Sequence, residues 1–135
     1  MNEAFFRGYY EAYNSEDESR LAEFLAEDVV LKSAQGEQRG RDAYLATYRY
    51  ILSTFTDRMT PEDIAVDGDK AVVQITDRFI AKTDVPDFLG QSFKPGQGFT
   101  LKLAGTYTVR DGRIATIDIA LLGTEKRWPS PDISH

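Results

Sequence analysis

Hydrophobic positions along this chain change their period part-way. In the first half they recur mostly every three or four residues, and in the second half they alternate. Phe5, Phe6, Tyr9, Tyr10 and Tyr13 make a wide aromatic stripe and predict a helix over Asn2–Tyr13. Ser15 and Glu18 fit a capping box ahead of a short second helix with Leu21, Phe24 and Leu25 on one face. Val29–Ala34 reads as a strand closed by a turn at Gly36. Asp42–Phe55 reads as a long helix whose stripe is Tyr44, Tyr48, Ile51, Leu52 and Phe55.

Strand patterns follow. Glu62–Val66 reads as an edge strand, and Asp67-Gly68-Asp69 as a hairpin turn, because Asp-Gly supplies the positive φ such turns need. Ala71–Lys82 and Phe99–Arg110 alternate cleanly, and Arg113–Leu122 completes a meander through the Asp111-Gly112 turn. A glycine- and proline-rich loop (Gly90, Pro95, Gly96, Gly98) precedes that hairpin. Helices first and an antiparallel sheet afterwards predict an α+β fold. One domain is expected over 1–123, with a polar, proline-broken and loosely held tail over 124–135.

Alternation also sorts side chains by face. Val73, Ile75, Asp77, Phe79 and Ala81 share the apolar face of their strand, so Asp77 is the one carboxylate this reading places inside. Phe99, Leu101, Leu103, Gly105, Tyr107 and Val109 form the apolar face of the next. Ile117, Ile119 and Leu121 form that of the last, with Asp118 turned away. A lone ionised carboxylate in apolar surroundings costs several kcal/mol, so Asp77 must be paired, hydrogen-bonded or protonated. It is either an acid/base group in a cavity or a structural carboxylate held by a helix tyrosine or by an arginine such as Arg7 or Arg49.

Composition narrows the chemistry. The chain of 135 residues has a net charge of −6 and no basic cluster, so no nucleic-acid footprint. No apolar run is long enough to span a membrane, and no targeting signal is visible, so a cytoplasmic location is expected. There is no cysteine, and the single histidine is the terminal His135. Thiol nucleophiles, Ser-His-Asp triads and histidine-based metal sites are thereby disfavoured, and no metal or cofactor is expected. Catalysis would rest on Asp, Glu, Tyr, Arg, Lys or Ser. Six of the seven tyrosines lie on the first and third predicted helices, as core residues or as hydroxyl donors lining a cavity.

The order helix, helix, strand, long helix and four meandering strands resembles the nuclear transport factor 2-like superfamily, a cone-shaped, cystatin-like α+β fold. Within it the chain looks most like the SnoaL-like, polyketide cyclase-like branch. The resemblance spans about residues 3–123. Its carriers are YYEAYNSEDESRLAEFLAEDVVL, RGRDAYLATYRYIL, VDGDKAVVQ, FLGQSFKPGQGF and VRDGRIATIDI. It implies a curved sheet wrapped around the long helix, a small apolar ligand, no cofactor, and acid/base chemistry on an enolisable carbonyl. By resemblance to ketosteroid isomerase, the oxyanion-hole tyrosine falls on Tyr9 and a second pocket tyrosine on Tyr48. The base aspartate of that enzyme falls on Ser33 and its protonated aspartate on Gly105, departures that argue against that particular activity. Ala115-Thr116-Ile117-Asp118 also departs from the polar run that the SnoaL-like branch often carries there.

The candidate catalytic set is therefore Asp77, Tyr9 and Tyr48. The candidate ligand wall is Ser33, Tyr13, Phe79, Leu103, Tyr107, Ile117 and Ile119. The expected activity is a cofactor-independent lyase, isomerase or cyclase on a small apolar carbonyl compound. The alternatives are a non-catalytic binder of a small hydrophobic ligand, or a dimeric interaction domain with no pocket chemistry. The Thr-rich outer sheet face is the expected homodimer surface.

Overall fold

The structure, a computed structural model, describes residues 2–34, 36–88 and 90–128. Helix α1 (Glu3–Asn14) starts where Asn2 turns its side chain back to accept from the Phe5 amide. Its inner face carries Phe6, Tyr9, Tyr10 and Tyr13, as the spacing predicts. Helix α2 (Glu18–Ala22) is capped by Asp17, which accepts from the Ser19 and Arg20 amides, and not by Ser15. Ser15 instead bonds the Ala12 carbonyl and receives the Asp17 amide. The helix stops before Phe24, and Leu25 opens strand β1 (Leu25–Ser33). A tight return at Gly36 (φ 108°) adds β2 (Gly36–Arg39).

Helix α3 (Arg41–Thr54) buries Tyr44, Leu45, Tyr48 and Ile51. At Phe55 the backbone passes directly into extended geometry, and β3 (Phe55–Asp67) begins with no linker. The edge strand expected at Glu62–Val66 is thus much longer at its N-terminal end. Strands β4 (Lys70–Ala81), β5 (Val85–Phe88), β6 (Gln91–Phe93), β7 (Gly98–Arg110) and β8 (Arg113–Trp128) complete the chain. The main sheet runs β2-β1-β8-β7-β4-β3, and its β1–β8 pairing is parallel where the other four are antiparallel. Strand β8 continues past Gly123 to Trp128, because the long β7 offers partners as far as Gly98. Residues 124–128 are therefore sheet where a loose tail was expected; the rest of that tail lies outside the described residues.

The α+β class stands: α1 and α3 cover one face of the curved sheet, and the core lies between. Buried positions alternate along β4 and β7 in the predicted register, with Asp77 inward at 2% exposure. The β5–β6 hairpin folds over one end of the core. Phe88 and Phe93 there join Phe55, Phe79 and Phe99, with the Phe79 and Phe99 rings stacked 4.7 Å apart. Burial of five such rings anchors that end of the cone. No described helix is long and apolar enough to cross a membrane.

Candidate functional site

Between α1, α3 and the concave sheet face lies a cavity of about 110 Å³. Tyr9 and Tyr13 of α1 line it, as do Tyr44, Thr47, Tyr48 and Ile51 of α3. Leu31 and Ser33 of β1, Leu101, Leu103 and Tyr107 of β7, and Ile117 and Ile119 of β8 close the far wall, with Phe88 at the hairpin end. Asp57 and Met59 of β3 and Asp77 and Phe79 of β4 make the remaining side. All ten residues singled out from the sequence border this one space.

The residue that sequence reading missed is Asp57. It is 4% exposed and stands on the inner face of β3, between Phe55 and Met59. The register pairs Asp57 with Phe79 and Met59 with Asp77, so the two aspartates are diagonal neighbours on adjacent strands. Such neighbours lie close enough for side chains to meet. Had strand alternation been extended back through Phe55-Thr56-Asp57-Arg58-Met59, it would have put Asp57 inside.

Among the described residues no Lys or Arg forms an ion pair with either aspartate. Arg7 is engaged with Glu3, and Arg49 with Glu18. Asp57 Oδ2 accepts from the Tyr13 hydroxyl at 2.7 Å. Asp57 Oδ1 and Asp77 Oδ1 are buried and face no N–H or O–H donor. Two neighbouring carboxylates buried without a cation disfavour double ionisation, so the pair holds a proton on one member. Burial raises the proton affinity of both, and Asp57 beside it raises Asp77 further. Asp57 is held back by Asp77 and by the Tyr13 hydroxyl. Asp77 is therefore the proton carrier and Asp57 the stronger acid of the two.

Asn14 fixes this arrangement. Its side chain donates to the Met59 carbonyl at 2.8 Å and accepts from the Met59 amide at 2.9 Å, splicing the end of α1 onto the edge of β3. That docking carries Tyr13 to Asp57. The Tyr48 hydroxyl donates to the Tyr13 carbonyl at 2.5 Å, so its one hydrogen is spent on joining α3 to α1. Burial also pushes Tyr48 up to about 12. Tyr9 shares a hydrogen bond of 2.6 Å with Tyr44, and Tyr10 one of 2.5 Å with Tyr107. Each such pair holds two hydroxyl hydrogens and uses one between its members, leaving one to donate elsewhere. In Tyr9–Tyr44 both partners border the cavity.

Gly105, where the resemblance sets a carboxylate in a related enzyme, sits beneath Tyr107. A Cβ there would lie 2.8 Å from the Tyr107 ring. The missing side chain lets that ring lie against β7 and reach Tyr10. Among the described residues no group of three or more His, Cys, Asp or Glu side chains comes together as a metal site.

A curved sheet wrapped against helices, with a carboxyl pair on its concave side, is the fold of the nuclear transport factor 2-like class. The chain belongs to the SnoaL-like domain family, whose model matches residues 6–117. Similar solved structures include IdmH, a candidate polyketide cyclase from Streptomyces antibioticus. It is 26% identical, with a TM-score of 0.71 over 88% of this chain and 90% of that one. A candidate polyketide cyclase from Sinorhizobium meliloti shares the fold at 24% identity and a TM-score of 0.67, over 88% of this chain and 95% of that one. An epoxide hydrolase of the LEH-like type from M. tuberculosis shares it at 18% identity and a TM-score of 0.71, over 87% of this chain and 80% of that one. No curated protein sequence matches the chain.

Proposed function

We propose that this protein is a cofactor-independent acid–base enzyme that moves a proton on a small enolisable carbonyl compound, an isomerase or cyclase by reaction class. The observation that carries the proposal is the Asp57–Asp77 pair: two buried, diagonally adjacent carboxyls at the wall of an apolar cavity. A pair of this kind can accept a proton on its ionised member and return one from the other. Burial brings its proton affinity nearer neutrality, where a general base works best. In the proposed cycle the C–H bond next to the carbonyl breaks and its proton passes to the ionised carboxylate. The electron pair forms the enolate, and the spare hydroxyl of Tyr9–Tyr44 donates to its oxygen. Collapse of the enolate takes a proton back at another carbon, so no co-reactant is needed. Tyr48, committed to the Tyr13 carbonyl, positions this machinery rather than donating to the ligand.

The cavity volume bounds the part of the substrate that it encloses. An apolar cavity of ~150 Å³ admits benzene, so about 110 Å³ fits a molecule of only a few heavy atoms. Its similarity to candidate polyketide cyclases supports the reaction type more than the substrate size. The test is hydrogen–deuterium exchange next to the carbonyl of cyclopentanone in D2O, followed by NMR. Exchange should exceed the buffer rate and fall to it in Asp57→Asn/Asp77→Asn. Equal rates with and without protein would end the acid–base reading.

A second reading is a non-catalytic binder of the same small ligand. It is favoured by the way the tyrosine hydroxyls are already engaged with one another, with Asp57 and with the Tyr13 carbonyl. In either case we propose a homodimer formed through the outer sheet face. Val72 stands 46% exposed there, and sedimentation of the full chain would test it.

A further inference from the structure

We propose that the cavity recognises a small organic cation, an alkylammonium group that donates to the unpartnered carboxyl oxygens of Asp57 and Asp77. The inference rests on the reading of the cavity as a ligand site, and not on any proton transfer to carbon.

Three observations carry it. The first is charge. The titratable side chains on the cavity wall are Tyr9 and Tyr13 of α1, Tyr44 and Tyr48 of α3, Asp57 of β3, Asp77 of β4 and Tyr107 of β7. Every one is an acid. Leu31, Ser33, Phe88, Ile117 and Ile119, from β1, β5 and β8, bring no charge. Neighbouring groups coupled to this wall, Tyr10 with Asp77 and Glu16 and Asp17 with Tyr48, are acids too. The wall offers no cationic side chain to a ligand's carboxylate or phosphate, and the ionised member of the carboxyl pair repels it.

The second is unmet acceptors. Only three buried side-chain polar atoms among the described residues lack a partner, and Asp57 Oδ1 and Asp77 Oδ1 are two of them. Their residues are 4% and 2% exposed and border the cavity. Buried acceptors of this kind are satisfied by donors. An ammonium brings up to three N–H donors and a full positive charge, whereas a ketone or hydrocarbon brings none. The third is the wall itself. Tyr9, Tyr13, Tyr48, Tyr107 and Phe79 line the space, and aromatic rings attract desolvated cations through their faces.

The exchange balances simply. The ammonium enters with its charge, the proton on the pair leaves to solvent, and both carboxylates then accept N–H bonds. Affinity for an ammonium must therefore fall as the pH is lowered, by up to about tenfold per pH unit for each proton displaced. Affinity for a neutral ligand has no such dependence.

Calorimetry on the full chain decides it, with tert-butylammonium, tert-butanol and pivalate as probes of one shape and three charges. The ammonium should bind at least about tenfold more tightly than the alcohol, and pivalate should not bind. Repeating the titration in buffers of different ionisation enthalpy should reveal a proton released on ammonium binding. Asp57→Asn/Asp77→Asn should bind the ammonium and the alcohol equally. If that variant does not fold, the proton release and pH slope of the unaltered chain decide alone. Equal affinity for ammonium and alcohol, or ammonium binding with no proton released, overturns the proposal. Binding of the alcohol alone would overturn it too while leaving the cavity a ligand site. Binding of none of the three would overturn it while deuterium exchange judged the acid–base reading separately.

Discussion

The Tyr13 hydroxyl donates to Asp57 Oδ2 across 2.7 Å, and this bond favours the ionised form of Asp57 over that of Asp77. A donor to a carboxylate stabilises the charged form. The bond therefore lowers the proton affinity of Asp57 while Asp77, which receives no such donor, keeps the proton. Tyr13→Phe removes the donor and keeps the ring. Asp57 should then titrate at higher pH, read from its carboxyl carbon by NMR. The variant should also lose about 1–3 kcal/mol of stability at neutral pH, because a buried acceptor is stranded. An unchanged Asp57 titration would show that Tyr13 merely fills space.

The Tyr10–Tyr107 bond offers a cleaner energetic test. Its partners are 1% and 1% exposed, so neither hydroxyl can turn to solvent. Tyr10→Phe strands the hydroxyl of Tyr107, and Tyr107→Phe strands that of Tyr10. Each should cost about 1–3 kcal/mol, but the double change removes both ends and should cost less than the sum. Strict additivity in chemical denaturation would mean that the two hydroxyls do not depend on each other.

Much of this arrangement was legible in the sequence, and the part that was not has a specific cause. Alternation around Asp77 and the spacing of Tyr9, Tyr13 and Tyr48 led to one cavity because sheet faces and helix stripes are periodic. Asp57 escaped because α3 runs into β3 with no turn residue between Thr54 and Thr56, so no boundary marks where the period changes from helix to strand. The contact between Tyr13 and Asp57 spans 44 residues and depends on Asn14 docking at Met59. Local pattern carries no signal for that. The extension of β8 to Trp128 was hidden in the same way, since backbone pairing with β7 needs no hydrophobic alternation after Gly123.

Gly105 sits where a side chain cannot be accommodated without moving an aromatic ring. Its virtual Cβ lies 2.8 Å from Tyr107 Cε2 and 3.0 Å from the Tyr107 hydroxyl oxygen. Gly105→Ala should therefore cost about 1–3 kcal/mol by overpacking, and the displaced ring should weaken the bond to Tyr10. The cost should shrink when Gly105→Ala is made together with Tyr107→Leu, which removes the ring. A Gly105→Ala penalty equal in both backgrounds would place the clash elsewhere.

The carboxyl pair also fixes how stability responds to pH, and the sign follows from the direction of the shifts. Burial raises the proton affinity of Asp57 and of Asp77 in the folded chain, and Asp57 raises Asp77 further. Above the unfolded aspartate value of about 3.9, the folded state then binds more protons than the unfolded state. Stability must fall as pH rises wherever that holds. The contribution is complete below the unfolded value and is lost as pH climbs through the folded values of the pair. Asp17 and Asp28 act in the opposite sense. Ser19 holds Asp17 low and Arg110 holds Asp28 low, so their stability is present above the unfolded value and lost on acidification. Both are exposed and well screened, and they titrate at the acid end, outside the window of the pair. Urea denaturation between about pH 5 and pH 9 should show the unaltered chain losing stability towards the alkaline side. Asp57→Asn/Asp77→Asn, which cannot ionise at these positions, should give a flatter curve. The difference between the two curves isolates the pair from every other titrating group that they share, and parallel curves would mean that the two carboxyls are ionised in the fold as they are in the open chain.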